Sequence, residues 1–201
     1  MTDRVSDSSP ETALLPLAAD QLEIRRMRPD DVPAIMAIES VSFGRHHWSE
    51  ESFYNEMNNQ LGRYYVLMEK SAGTPRLAGY CGYWLVVDEA HVTTIAVSPN
   101  FRGASLGELL VSHMVDRCLG QTVYWLTLEV RAGNFNAQNL YYKYGFSSMG
   151  VRPRYYQDNE EDALIMTTAD MRTEAFRALH RQHRDALREK FGGLPHGYGN
   201  S

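Results

Sequence analysis

The stretch from His91 to Leu119 constrains the fold more tightly than any other part of this chain. HVTTIAV alternates in the period of a strand, and LGELLVSHMVDRCL repeats Leu109, Leu110, Met114 and Val115 at helical spacing. Between them lie a proline turn, SPN, and the short run Arg102–Gly107. A strand that passes through such a loop directly into a helix aims several backbone N–H groups and the positive end of the helix dipole at one point. That geometry suits an anion such as a diphosphate. Gly103 and Gly107 allow a close backbone approach, and Arg102 adds charge. An ordinary strand–helix connection has the same spacing, so the loop alone decides nothing.

The other segments extend the same α/β pattern. LEIRRM reads as a strand from Leu22, and PDDVPAIMAIESVSF as a helix with Val32, Ile35, Met36 and Ile38 inward. Ser49 is placed to cap a second helix running through Asn58, with Glu50 and Glu51 in its first turn. RYYVLMEK, LAGYCGYWLVV and AHVTTIAV read as successive strands. TVYWLTLEV is another strand, and NAQNLYYKY a helix closed by Gly145 at the C′ position. Strands are expected near SSMGVRPRYY and ALIMTT around the polar loop QDNEED, with a trailing helix from Met171 to about Lys190. Residues 1–20 lack a sustained period and are expected to be a flexible arm. The main domain is expected over 21–170, with a C-terminal helix and tail over 171–201.

Composition narrows the function classes. A net charge of −5 argues against a globally basic nucleic-acid binder, and no sequence-specific nucleic-acid contact is expected. No apolar run approaches the roughly 20 residues that span a bilayer, and the N-terminus lacks the pattern of a signal peptide. A cytoplasmic protein without membrane partners is expected. Cys81 and Cys118 have neither CxxC nor His-paired spacing, so they read as buried thiols, and no metal is expected.

The residues richest in chemistry lie in LTLEVRAGNFNAQNLYYKYGF. Glu129 stands near the end of a strand of apolar or neutral residues, where an acid is costly unless it meets a cleft or a partner. Tyr141 lies on the helix that follows. A carboxylate and a phenol converging near an anion site could act as base and acid. The competing reading pairs Glu129 with Arg131 and makes Tyr141 a core aromatic. His91 opens a strand and reads as a hydrogen-bonded structural residue, while His46 and His47 read as exposed loop residues.

HVTTIAVSPNFRGASLGELL resembles the acetyl-CoA motif of the GNAT superfamily. LEVRAGNFNAQNLYYKYGF followed by GVRPRYYQDNEEDALIM is similar to the bacterial ribosomal-protein-alanine N-acetyltransferases and related N-terminal acetyltransferases. The likeness covers roughly Leu22 to Thr168. It implies one GNAT (acyl-CoA N-acyltransferase) domain of class α/β. Its twisted sheet would be mixed but mostly antiparallel, with six to seven strands flanked by about four helices, and the C-terminal helix would be an extension.

The resemblance also implies roles. Ile95, Ala96 and Val97 would bind the pantetheine arm through exposed backbone groups, with the Val97 amide facing the thioester oxygen. Arg102, Gly103, Ala104, Ser105, Leu106 and Gly107 would hold the diphosphate, and Asn134 would contact acetyl-CoA. Glu129 matches the general base, Tyr141 the general acid, and Tyr155 and Tyr156 the tyrosines that bind an incoming peptide. The implied reaction is direct acetyl transfer, in a ternary complex, from acetyl-CoA to a protein N-terminus. The expected target is the N-terminal alanine of a small-subunit ribosomal protein. The rivals are acetylation of a small amine or lysine side chain, and a non-catalytic CoA-binding module. The sequence departs from the usual loop at Ser105, where the family has glycine. If that position needs positive φ, serine costs on the order of 1 kcal/mol. The trailing helix reads as folded back on the domain, or as a basic arm that approaches an RNA-bearing substrate.

Overall fold

A computed structural model describes residues 17–44, 47–71 and 73–199. Most of the expected N-terminal arm, and His46, lie outside the described residues; Ala19–Gln21 form a short 3-10 turn, so regular structure begins before Gln21. The strands are β1 (Leu22–Arg26), β2 (Gly62–Glu69), β3 (Arg76–Val86), β4 (Glu89–Val97), β5 (Trp125–Arg131), β6 (Phe146–Tyr156) and β7 (Glu161–Thr168). The helices are α1 (Val32–Phe43), α2 (Glu50–Asn58), α3 (Leu106–Leu119), α4 (Phe135–Lys143) and α5 (Glu174–Phe191). The seven strands form one sheet in the order β1-β2-β3-β4-β5-β7-β6. Every neighbouring pair is antiparallel except β4 and β5, which are parallel.

Local chemistry sets the boundaries. Ser49 caps α2 by accepting from the Ser52 amide at 3.2 Å, and Gly145 ends α4 at φ +79°, a conformation glycine adopts without a Cβ clash. Asp31 precedes α1 but spends its carboxylate elsewhere, on a bidentate pair with Arg25 at 2.7 Å per bond. β5 begins at Trp125 instead of Thr122, because the preceding residues turn: the Tyr124 amide donates to the Asp88 carbonyl and the Tyr124 carbonyl accepts from Met171. Glu161 and Asp162 belong to β7, leaving a four-residue turn where the polar loop was expected.

The sheet buries both faces. On one, Leu128, Val130 and Val92 join Leu109, Leu110 and Met114 of α3 and Tyr141 of α4. On the other, Val66, Tyr80 and Ala96 pack against Val32 and Ile35 of α1 and Phe53 of α2. β4 serves both faces, since the register with β3 slips between Tyr83–Val92 and Gly82–Thr94 and leaves Thr93 as an extra residue. Such a bulge reverses the alternation and bends the strand. Cys81 and Cys118 are free, buried thiols within the first core, and burial pushes Cys118 up to about 12.

The C-terminal residues are built into the same core. Phe176, Leu187, Phe191 and Tyr198 join the cluster on the α3 face. Asp116 of α3 receives His180 Nε2 of α5 at 2.6 Å, with Arg184 at 3.6 Å. The chain then runs along β1, where the Ile24 amide donates to the His196 carbonyl at 2.9 Å. Tyr198 reaches Ser112 of α3 at 2.6 Å between hydroxyl oxygens. No helix among the described residues is long and apolar enough to cross a membrane.

Candidate active site

The parallel pairing of β4 and β5 is short. It covers Glu89–His91 against Trp125–Thr127 and stops there, two residues before the bulge at Thr93. Beyond it the strands splay, leaving facing main-chain edges without partners in the sheet. The Ser98 amide bonds back to Ala78 on β3 at 2.9 Å. Because N–H directions alternate along a strand, the amides of Val97 and Ile95 therefore point to the other side, into the gap. An extended ligand with its own amides can add there as a pseudo-strand.

A cleft of about 730 Å³ opens at this splay. Its walls include Ile95, Glu129, Asn134, Tyr141, Tyr155 and Tyr156, so six residues singled out from the sequence meet in one place. Ala96 turns its side chain into the α1–α2 core instead. Val97 and residues 102–107 lie past the cleft wall, at the C-terminal end of β4. A Cβ on Gly107 would touch only Val97 Cγ2 at 3.7 Å and Leu140 Cδ2 at 3.8 Å, ordinary contacts. The protein itself therefore does not demand glycine there.

Glu129 sits on the cleft face of β5, with a side chain 10% exposed. His91 Nε2 lies 3.1 Å from one carboxylate oxygen, and Arg152 Nη2 lies 3.0 Å from the other. The His91 hydrogen bond is the main reason its pKa falls below the ordinary 4.5; burial acts against the shift, and the charge of Arg152 adds to it. The pairing with Arg131 does not form. Arg131 engages Asp158 at 2.9 Å and Glu161 at 3.1 Å and lies over the Tyr156 ring, 3.9 Å from its centroid.

Tyr141 is 6% exposed, with its ring 5.5 Å from that of Phe146. Burial raises its phenol above the ordinary 10.0, so it keeps its proton at neutral pH. Asn134 caps α4 by accepting from the Ala137 amide at 3.2 Å. Tyr155 and Tyr156 pack edge to face at 5.2 Å. Tyr155 is half exposed at the rim, whereas burial pushes Tyr156 up to about 12.

His91 is hydrogen-bonded, as expected from its place at the start of a strand, and one of its partners is Glu129. It faces the cleft, and its Nδ1 meets Thr127 Oγ1 at 3.0 Å. The β4–β5 register creates this contact, and no spacing in the sequence reveals that register. Trp48, Trp84 and Glu39 also line the cleft. Glu39 is buried on α1, where burial raises its pKa against the opposing hydrogen bonds from Tyr80 and the Trp48 amide.

The model of the acetyltransferase (GNAT) family matches residues 32–146, more than half of the chain. A provisionally named ribosomal protein bS18-alanine N-acetyltransferase of Bacillus subtilis is 44% identical over 143 residues, covering 71% of this chain and 92% of the relative. The chain belongs to this acetyltransferase family. The ribosomal protein bS18-alanine N-acetyltransferase of Salmonella typhimurium is 38% identical over 141 residues, covering 68% of this chain and 89% of that protein. Among solved structures, the ribosomal-protein-S18-alanine N-acetyltransferase of Escherichia coli superposes with a TM-score of 0.67 at 31% identity, covering 76% of this chain and 97% of that one. The fold is that of the family: a single GNAT domain built on a seven-stranded mixed sheet.

The loop that leads into α3, expected from the sequence to hold a diphosphate, includes two residues in positive-φ conformations, one of them not a glycine. Gly103 has φ +80°, and Ser105 stands at φ +63° and ψ +18°, the left-handed region. A serine there carries roughly 1 kcal/mol of backbone strain. Ser105→Gly is therefore expected to raise Tm by about 2–4 °C in thermal unfolding. An unchanged or lower Tm would mean that the hydroxyl's own contacts outweigh the strain.

Proposed function

We propose that this protein transfers acetyl from acetyl-CoA to the N-terminal amino group of a protein, with the alanine terminus of ribosomal protein bS18 as its target. The observation that carries the reading is the meeting of Glu129 and Tyr141 in a cleft opened by the splay of β4 and β5. The free main-chain edge, together with the positive-φ loop at the start of α3, fits the pantetheine and diphosphate of coenzyme A. The names of the relatives support the protein-terminus and ribosomal parts of the proposal, and a ribosomal substrate supports a cytoplasmic location.

Acetyl-CoA supplies an activated acetyl group and a thiolate leaving group. The chain supplies the rest. Val97 and Ile95 amides orient the arm, with the Val97 N–H directed at the thioester oxygen. An α-amino group titrates at about 7.7–8.0 and must be neutral to attack. Glu129, paired with His91, takes its proton through a water. The carboxylate, held ionised by a pKa below the ordinary 4.5, draws the proton by its charge, and His91 and Arg152 hold it in place. Tyr141 keeps its proton until the sulfur departs, then donates to it. Transfer is direct, since both cysteines are buried and neither lines the cleft.

Tyr155 and Tyr156 at the rim, with rigid rings and polar tips, favour the end of a peptide chain over a small amine. The test incubates the protein with acetyl-CoA and peptides of varied first residue, with products read by mass spectrometry. Acetylation at the N-terminus, fastest on the alanine-starting bS18 sequence, is expected. Acetylation only at lysine side chains or of polyamines would overturn the reading.

A further inference from the structure

The last turn of α5 ends against the loop assigned to the diphosphate. Lys190 Nζ donates to Ser105 Oγ, and Ser105 is the N-cap of α3, with a side chain that makes no capping bond of its own. The helix that carries the lysine is fixed to the domain near this point. Leu187 and Phe191 on the same helix are buried in the core, the helix stops at Gly192, and Asp116 ties α5 to α3 through His180 and Arg184. A hydroxyl satisfies one of the three ammonium donors and none of the charge. Among the described residues, no carboxylate lies within ion-pair distance of Lys190. Glu108, in the first turn of α3, carries a charge that would repel an anion, and Lys143 pairs with it.

We infer that Lys190 is a ligand of the acetyl-CoA diphosphate, delivered to the family's loop by the C-terminal helix. The inference rests on the reading of the cleft as a coenzyme A site. The helix that carries Lys190 begins well past residue 146, where the family match ends. On a chain of net charge −5, a polyanion gains most from cations fixed beside the amides that hold it. Arg102 is the other candidate at this loop, and its guanidinium already leans on Ser42 at 3.3 Å. Ser105 thus has a use that glycine lacks, because its hydroxyl points the ammonium at the diphosphate position.

Calorimetric titration of the full chain with coenzyme A tests this, comparing wild type with Lys190→Ala and Lys190→Arg. The alanine variant is expected to bind about 10–150-fold more weakly, the usual worth of one charge-assisted hydrogen bond, and the arginine variant to keep most of the affinity. The loss should be the same with dephospho-CoA, which lacks the 3′-phosphate, and absent with acetyl-pantetheine, which lacks the diphosphate. It should also shrink as salt rises. Equal affinity of wild type and Lys190→Ala for coenzyme A would overturn the proposal. So would a loss confined to coenzyme A and missing with dephospho-CoA, which would move the lysine to the 3′-phosphate. A loss that persists with acetyl-pantetheine would make the effect indirect and also overturn it. A wild-type chain that binds no coenzyme A would instead sink the reading of the site, and the lysine's role with it.

Discussion

Glu129→Gln is expected to lower kcat by about 10²–10⁴-fold, the usual range for a general base, while coenzyme A binding stays near normal. Glutamine has the same shape. Its carbonyl can still accept from Arg152 and its amide can meet His91, so the cleft should keep its form. What disappears is the negative charge that draws a proton from the attacking amine. The pH profile provides a second check. The folded-state pKa of Glu129 lies below the ordinary 4.5, so the carboxylate is already ionised between pH 5 and 8 and contributes no inflection there. The rate should therefore rise with pH through the amine's own titration near about 7.7–8.0, and the variant should show the same limb at a much lower plateau. Steady-state kinetics with the alanine-starting peptide across that range measures both. Turnover within a few-fold of wild type would remove Glu129 from the mechanism.

Tyr141→Phe should cost about 10²–10³-fold in kcat with little change in KM for either substrate, because only the hydroxyl is lost and its work comes after both substrates have bound. The ring keeps its packing on Phe146, so the fold is preserved. Burial holds the phenol proton on at neutral pH, which equips it as a donor to the departing sulfur. A purely structural tyrosine would behave differently. In that case Tyr141→Phe would be silent, and only a truncation such as Tyr141→Ala would be damaging, through a cavity worth about 3–5 kcal/mol of stability. Kinetics on the phenylalanine variant, with Tm measured alongside, separates the two roles.

Local signals in the sequence carry the elements well, because periodicity, caps and turns are properties of neighbouring residues. Ser49, Gly145 and the strand-to-helix passage around Arg102–Gly107 all act within a few positions. The positive φ at Ser105 could be posed as a condition from the departure at one glycine position. Contacts between distant segments are another matter. The partners of Glu129 come from β4 and β6, so His91 and Arg152 depend on registers that a single chain does not display. Arg131, two residues along the same strand, looked the nearer partner, yet the β6–β7 turn captures it. The bulge at Thr93 and the early end of the β4–β5 pairing likewise arise from how strands meet. The C-terminal helix reads as amphipathic in sequence, but its lysine reaches the α3 loop only once Asp116 and the core have fixed its angle.

A crystal structure of the protein soaked with coenzyme A is the most direct test of how this cleft works. The pantetheine should lie between Val92–Val97 and Leu128–Arg131, with its carbonyl and amide groups on the strand edges and its sulfur between Glu129 and Tyr141. Coenzyme A bound outside the splay, or a sulfur out of reach of both side chains, would contradict the account.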